Sequence, residues 1–206
     1  MTDTEIEQGS PYPFLSEIAQ IRRRARQHIA DGAASVNYAA DRAVVLRLLN
    51  ESLATELVCV LRYRRHYFMA SGSVAEASRA EFLKHSQEEQ QHADQLAERI
   101  VQLGGEPNFS PRGMVDRSHS EYADDDSLAD MVEEDLIAER IAIESYREII
   151  QYIGEQDTTT RSLFESILAA EEEHTEELAS MRADLMRTIR GSTAANGTPT
   201  QAGELR

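Results

Sequence analysis

Cysteine is almost missing from this chain of 206 residues. Cys59 stands alone, which excludes a disulfide framework and any cysteine-built zinc or rubredoxin-type iron site. No run of about 18 apolar residues occurs, so no membrane span is expected, and the acidic N-terminal stretch MTDTEIEQGSPYPF lacks the apolar centre of a secretion signal. A cytoplasmic location is expected from both absences. Positive charge is also short: a formal net charge of -16 makes non-specific attraction to DNA or anionic lipid weak for the body of the molecule and favours cations instead. Glycine and proline are scarce through the middle, and the length suits one well-buried, largely helical domain.

What is present is helical periodicity in four long segments, each bounded by breakers. The first, about Asp41 to Ala70, aligns Leu49, Leu53, Glu56, Val60, Tyr63 and Tyr67 and stops at SGS. The second begins near Ser73, aligns Phe82, His85, Glu89, His92, Leu96 and Leu103, and ends at Gly104-Gly105 ahead of Pro107. The third opens after DDDS, aligns Leu128, Val132, Asp135, Glu139, Ala142, Tyr146 and Ile153, and ends at Gly154. The fourth is capped by Asp157, aligns Phe164, Ile167, Glu171, His174, Leu178, Met181 and Leu185, and is expected to stop before Gly191.

Short links join the first helix to the second and the third to the fourth, which predicts two antiparallel hairpins. Between them GGEPNFSPRGMVDRSHSEYADDDS is long enough to return along the bundle, so the expected fold class is an all-α antiparallel four-helix bundle with one long crossover. Residues 41–190 make up the bundle, residues 1–40 an N-terminal extension with a helical segment in PFLSEIAQIRRRARQHIA, and residues 191–206 a tail of disordered composition.

Each apolar stripe contains one glutamate that does not belong there: Glu56, Glu89, Glu139 and Glu171. Two stripes add a histidine three residues later, His92 and His174. Buried bare carboxylates cost several kcal/mol apiece unless something cationic compensates, and no Lys or Arg is expected near them on these stripes. A pair of metal ions held by four carboxylates and two imidazoles resolves the conflict, because (i, i+3) spacing puts Glu and His on one helix face. Oxygen donors with one nitrogen per ion suit iron or manganese better than structural zinc. The register supports this, since Glu56 and Glu139 sit about 83 positions apart and each is followed seven residues later by a tyrosine, Tyr63 or Tyr146.

The plain alternatives bound this reading. A lone Glu-x-x-His is expected by chance about 0.7 times in such a chain, so only the whole constellation carries weight. In the run EEEHTEE, residues Glu172, Glu173, Glu176 and Glu177 fall off the apolar stripe and are expected in solvent. Tyr63 and Tyr146 are either core aromatics or phenols that hydrogen-bond a ligand or give up an electron. Asp135 is a candidate acceptor for the free nitrogen of His92, and His85 is either a structural histidine or part of a metal access path.

At these residues the sequence resembles the bacterioferritin and Dps-like branch of the ferritin-like superfamily. The likeness spans about residues 45–185 and rests on LNESLATELVCVLRY, HSQEEQQHADQLAERIVQLGGEPN, DLIAERIAIESYREII and ILAAEEEHTEEL. It implies a ferritin-like bundle in which Glu89 and Glu171 bridge two irons, Glu56 and His92 complete one and Glu139 and His174 the other, with Tyr63 beside them. It further implies two Fe ions per chain, with Mn or Zn able to substitute, and a ferroxidase that oxidises Fe(II) with dioxygen or hydrogen peroxide and stores ferric mineral in a hollow homo-oligomer. Haem is not expected, because the family's methionine after the second-helix glutamate is replaced by Gln90. The tail has no apolar face for a fifth helix, which favours twelve subunits over twenty-four. Other functions compete: a rubrerythrin-like di-metal peroxidase or oxidase, a Dps-like DNA-protecting protein using Arg22, Arg23, Arg24 and Arg26, or a metal-free interaction bundle.

Overall fold

The structure is a computed structural model, and it describes residues 18–29, 38–71, 75–124 and 126–196. Among these residues there are six helices and no strand: α1 (Ile18–Gln27), α2 (Arg42–Met69), α3 (Ala75–Gln102), α4 (Met114–Arg117), α5 (Leu128–Ile153) and α6 (Thr158–Asn196). The four long helices form the expected bundle. The parts of the N-terminal extension and tail at residues 1–17, 30–37 and 197–206 lie outside the described residues.

Capping chemistry sets the helix ends. Asp41 accepts from the backbone N–H groups of Ala43 and Val44 to start α2, Ser127 accepts from Asp130 N–H to start α5, and Asp157 accepts from Thr160 N–H to start α6. At the end of α3, Gly104 adopts φ 70°, its N–H reaches Val101 O, and Gly105 N–H reaches Ile100 O. This paired closure needs a left-handed residue, and a Cβ on Gly104 would also meet the Arg42 guanidinium at 2.7 Å. Arg42 bonds the carbonyls of Leu103 and Gly104, tying the start of α2 to the end of α3 and fixing the hairpin as antiparallel.

The expected stop at Gly191 does not occur. With ordinary helical backbone and nothing within 4 Å of its would-be Cβ, Gly191 sits on an exposed turn and α6 continues through Asn196. A glycine inside a helix costs about 1 kcal/mol, too little to end a helix with no competing cap.

The crossover follows α2 along its length. Asn108 N–H bonds Asn50 Oδ1, His119 N–H bonds Thr55 Oγ1, and the carbonyl of Glu121 accepts from Arg62 Nη1. This return path sets α5 antiparallel beside α2. The core then divides into two apolar blocks, one around Leu49, Leu53, Leu96, Ile100, Ile153 and Phe164, the other around Phe82, Met131, Val132, Leu178 and Leu185. The glutamates lie in the layer between them.

α1 carries the expected helical segment, but none of its residues is buried and Ile18 and Ile21 face solvent. Its apolar stripe therefore does not pack on its own bundle.

Candidate metal centre

Glu56 from α2, Glu89 and His92 from α3, Glu139 from α5, and Glu171 and His174 from α6 come together at one level of the bundle, all buried. Their donor atoms form two overlapping groups. Glu56, Glu89, His92 and Glu171 place ligand atoms within 4.8 Å of one another, and so do Glu89, Glu139, Glu171 and His174. Glu89 and Glu171 are common to both.

Both imidazoles aim Nδ1 inward. His92 Nδ1 lies 3.1 Å from Glu171 Oε1, 3.3 Å from Glu89 Oε2 and 3.6 Å from Glu56 Oε2. His174 Nδ1 lies 3.2 Å from both Glu89 Oε1 and Glu171 Oε2. Oε1 of Glu89 and Oε1 of Glu171 nevertheless have no aligned hydrogen bond, although both are buried. Unsatisfied buried oxygens of this kind, paired with imidazole nitrogens, form a donor set that fits two divalent ions.

The tyrosines are arranged reciprocally. Tyr63 on α2 donates its hydroxyl to Glu139 Oε1 on α5, and Tyr146 on α5 donates to Glu56 Oε1 on α2. Each phenol is fully buried and its pKa is pushed up, first by burial and then by the carboxylate it faces, so it remains a donor. The second aromatic member of the sequence repeat thus has the same contact as Tyr63.

Charge in the centre is balanced by protons. Burial, then the neighbouring Glu89, pushes Glu56 up to about 8, and burial followed by Glu89 and Glu171 raises Glu139 well above the carboxylate range. Burial alone would lower the two histidines. Hydrogen bonds donated to the surrounding carboxylates overcome it, raising His92 and taking His174 up to about 12. Glu89 and Glu171 remain low despite burial because they accept from those imidazoles, Glu89 also from Glu56.

Three expectations change. Asp135 does not touch His92; its Oδ1 accepts from Arg62 Nε at 2.9 Å and its Oδ2 lies 2.9 Å from His66 Nδ1. Arg62 is a buried cation next to the centre, contrary to the expected absence of Arg there, but Asp135 matches its charge and leaves the glutamates without a spare positive partner. Glu177 is half-buried rather than solvated, since it accepts from Lys84 at 2.8 and 2.9 Å and meets His85 Nε2 at 2.8 Å. His85 stacks on His174 with ring centroids 4.2 Å apart. One further contact was hidden in the sequence: Glu88 Oε2 lies 3.0 Å from His174 Nε2 and orients the ring from outside. Glu88 is off the apolar stripe, and no spacing rule marks it.

Comparison with known proteins agrees with this geometry. A family model described as ferritin-like domain matches residues 46–188. The bacterioferritin of Mycobacterium avium is 36% identical over 135 residues, covering 63% of this chain and 78% of its own length. That of Desulfovibrio desulfuricans is 30% identical over 167 residues, covering 79% of this chain and 88% of its own. Among solved structures, the bacterioferritin-related protein of Bacteroides fragilis, described as a dodecameric thioferritin, matches with a TM-score of 0.71 and 27% identity over 74% of this chain and 92% of that one. Dps from Staphylococcus aureus shares the fold at a TM-score of 0.66 and 23% identity, over 70% and 98% of the two chains. The bundle, its crossover and the sequence match together place this chain in the ferritin-like domain family.

Proposed function

We propose that the protein stores and detoxifies iron, as a ferroxidase that oxidises Fe(II) with dioxygen or hydrogen peroxide and deposits the ferric product inside a hollow homo-oligomer. The observation that carries this reading is the pair of overlapping donor groups sharing Glu89 and Glu171. Two Fe(II) substrates would sit side by side there, Glu56 and His92 completing one set and Glu139 and His174 the other. Anionic oxygen donors favour Fe(III), and adjacent ions supply one electron each to a single oxidant molecule, which takes both together with protons from solvent.

The chain's own residues hold this arrangement. Tyr63 and Tyr146 each occupy one oxygen of a terminal glutamate and fix its rotamer, and Glu88 orients His174. The apolar blocks above and below limit water to the access side of the layer. Net negative charge raises the local concentration of cations around an assembled shell.

An anaerobic Fe(II) titration followed by oxidant tests the proposal. Wild type should bind about two Fe(II) per chain in the centre and oxidise them rapidly, and Glu89→Ala, which removes a group common to both sets, should lose that pair and the rapid oxidation. Rapid Fe(II) oxidation surviving in Glu89→Ala would sink it. Sizing the same sample addresses assembly, for which twelve subunits are favoured by the likeness to the Bacteroides fragilis protein. Exposure of Arg22, Arg23, Arg24 and Arg26 on α1 keeps DNA contact as a second reading, checked by mobility shift across salt concentrations.

A further inference from the structure

Outside the centre, a second cluster faces the groove between α3 and α6. Glu81, His85 and Glu177 each offer a ligand atom within 4.8 Å of the others. His85 has no exposed surface and turns Nε2 toward Glu177 at 2.8 Å, its opposite nitrogen Nδ1 has no hydrogen-bond partner, and Oε2 of Glu81 is likewise buried and unpartnered. Buried polar atoms left open in this way are unfavourable unless a ligand meets them. A cavity of about 470 Å³, lined by Ser78, Glu81, Glu177, Ser180 and Asp184, connects the cluster to solvent.

His85 belongs to two groups of donors. It lies with Glu81 and Glu177 on the outer side, and with Glu139 and His174 on the inner side, again within 4.8 Å. Its ring is stacked on His174, so one imidazole separates the two clusters. The outer cluster already holds a cation of another kind. Lys84 Nζ sits 2.8 and 2.9 Å from the two oxygens of Glu177, with a side chain 42% exposed and free to swing into water.

We propose that Glu81, His85 and Glu177 form a separate divalent-cation site, which takes Fe(II) from the groove and passes it by way of His85 to the Glu139 and His174 side of the centre. Two carboxylates and one imidazole are donors for Fe(II), Mn(II), Co(II) or Zn(II). Binding at the outer site stands by itself; the transfer role rests on the proposed ferroxidase function. Lys84 would be the competitor an arriving ion displaces.

Co(II) is a suitable probe, being stable in air and visible by anomalous diffraction. Crystals of the full chain soaked in Co(II) should show density among Glu81, His85 and Glu177 as well as in the centre. The Glu81→Gln, Glu177→Gln double variant should lose the outer density and keep the inner, which also reports that it is folded, and Glu89→Ala should do the reverse. Lys84→Gln should tighten outer Co(II) binding by about threefold, the scale of one exposed ion pair. Density in the centre alone overturns the outer site and leaves the ferroxidase reading intact; density at the outer site alone supports the site and overturns the transfer; density in neither overturns both. In Fe(II) oxidation, the double variant should need about three- to tenfold more Fe(II) for half-maximal rate, and an unchanged Fe(II) dependence overturns the transfer.

Discussion

At Glu56 and Glu139, burial and neighbouring carboxylates hold a proton at neutral pH, while His92 and His174 are held protonated by the acids around them. Two ionised carboxylates, Glu89 and Glu171, then face two imidazolium groups, and the layer is close to neutral without any bound ion. Two divalent cations replacing four protons leave that balance unchanged. Anaerobic loading with Fe(II) or Zn(II) at pH 7 is therefore expected to release about four protons per chain, read by pH-stat titration. Release of one or fewer would contradict the protonation pattern. The six side chains that meet in this layer could be picked out of the sequence because a glutamate interrupts each of four apolar stripes and two of these are followed by a histidine three residues on. Arg62 was not. It neighbours Tyr63 on an adjoining helix face, and its long side chain reaches Asp135 in the interior, a distance that periodicity does not encode.

Among the elements, the junction of α3 and α6 is held most closely by one side chain. Asp157 caps α6, accepts from Arg99 Nη2 at 3.0 and 3.2 Å, and accepts from the Tyr38 hydroxyl at 2.6 Å, while Arg99 Nε reaches Thr160. Asp157→Ala removes the cap and leaves Arg99 buried without its partner, at an expected cost of about 3 kcal/mol in chemical denaturation. A loss under about 1 kcal/mol would mean that water or Gln102 satisfies Arg99 instead. The cap was readable from the sequence as an acidic residue ahead of an apolar stripe; its partners, 58 and 119 residues away, were not. Helix starts were signalled by local side chains, but the end of α6 lacked any such signal, so Gly191 misled.

For the whole molecule, the protonated centre sets how stability responds to pH. Glu56 has a folded pKa of about 8 against an ordinary 4.5, so its contribution is complete below about 4.5 and is lost as pH rises through 8. His174, raised from 6.5 to about 12, loses its contribution above 6.5 in the same direction. Among the lowered groups, Glu89, Glu171 and Asp157 are ionised in both states above about pH 6 and do not offset the loss, whereas His85 and His119, held down by burial, offset part of it until the pH passes the ordinary histidine value of 6.5. Without bound cations, Tm should fall between about pH 7 and pH 9, and with Mn(II) or Zn(II) the decline should flatten. A Tm that climbs over that window in the cation-free protein would refute this.

The two hairpins repeat each other at the glutamates and tyrosines, yet they part company around Arg62. The positions corresponding to Arg62, His66 and Asp135 in the opposite hairpin hold Ser145, Ile149 and Ser52. A guanidinium, a second imidazole and an aspartate thus flank the Glu139 flank alone, and the crossover is fastened to that same flank through Glu121. The two otherwise matching halves of the glutamate layer therefore have unequal surroundings, and a cation entering it would feel a different field on each side.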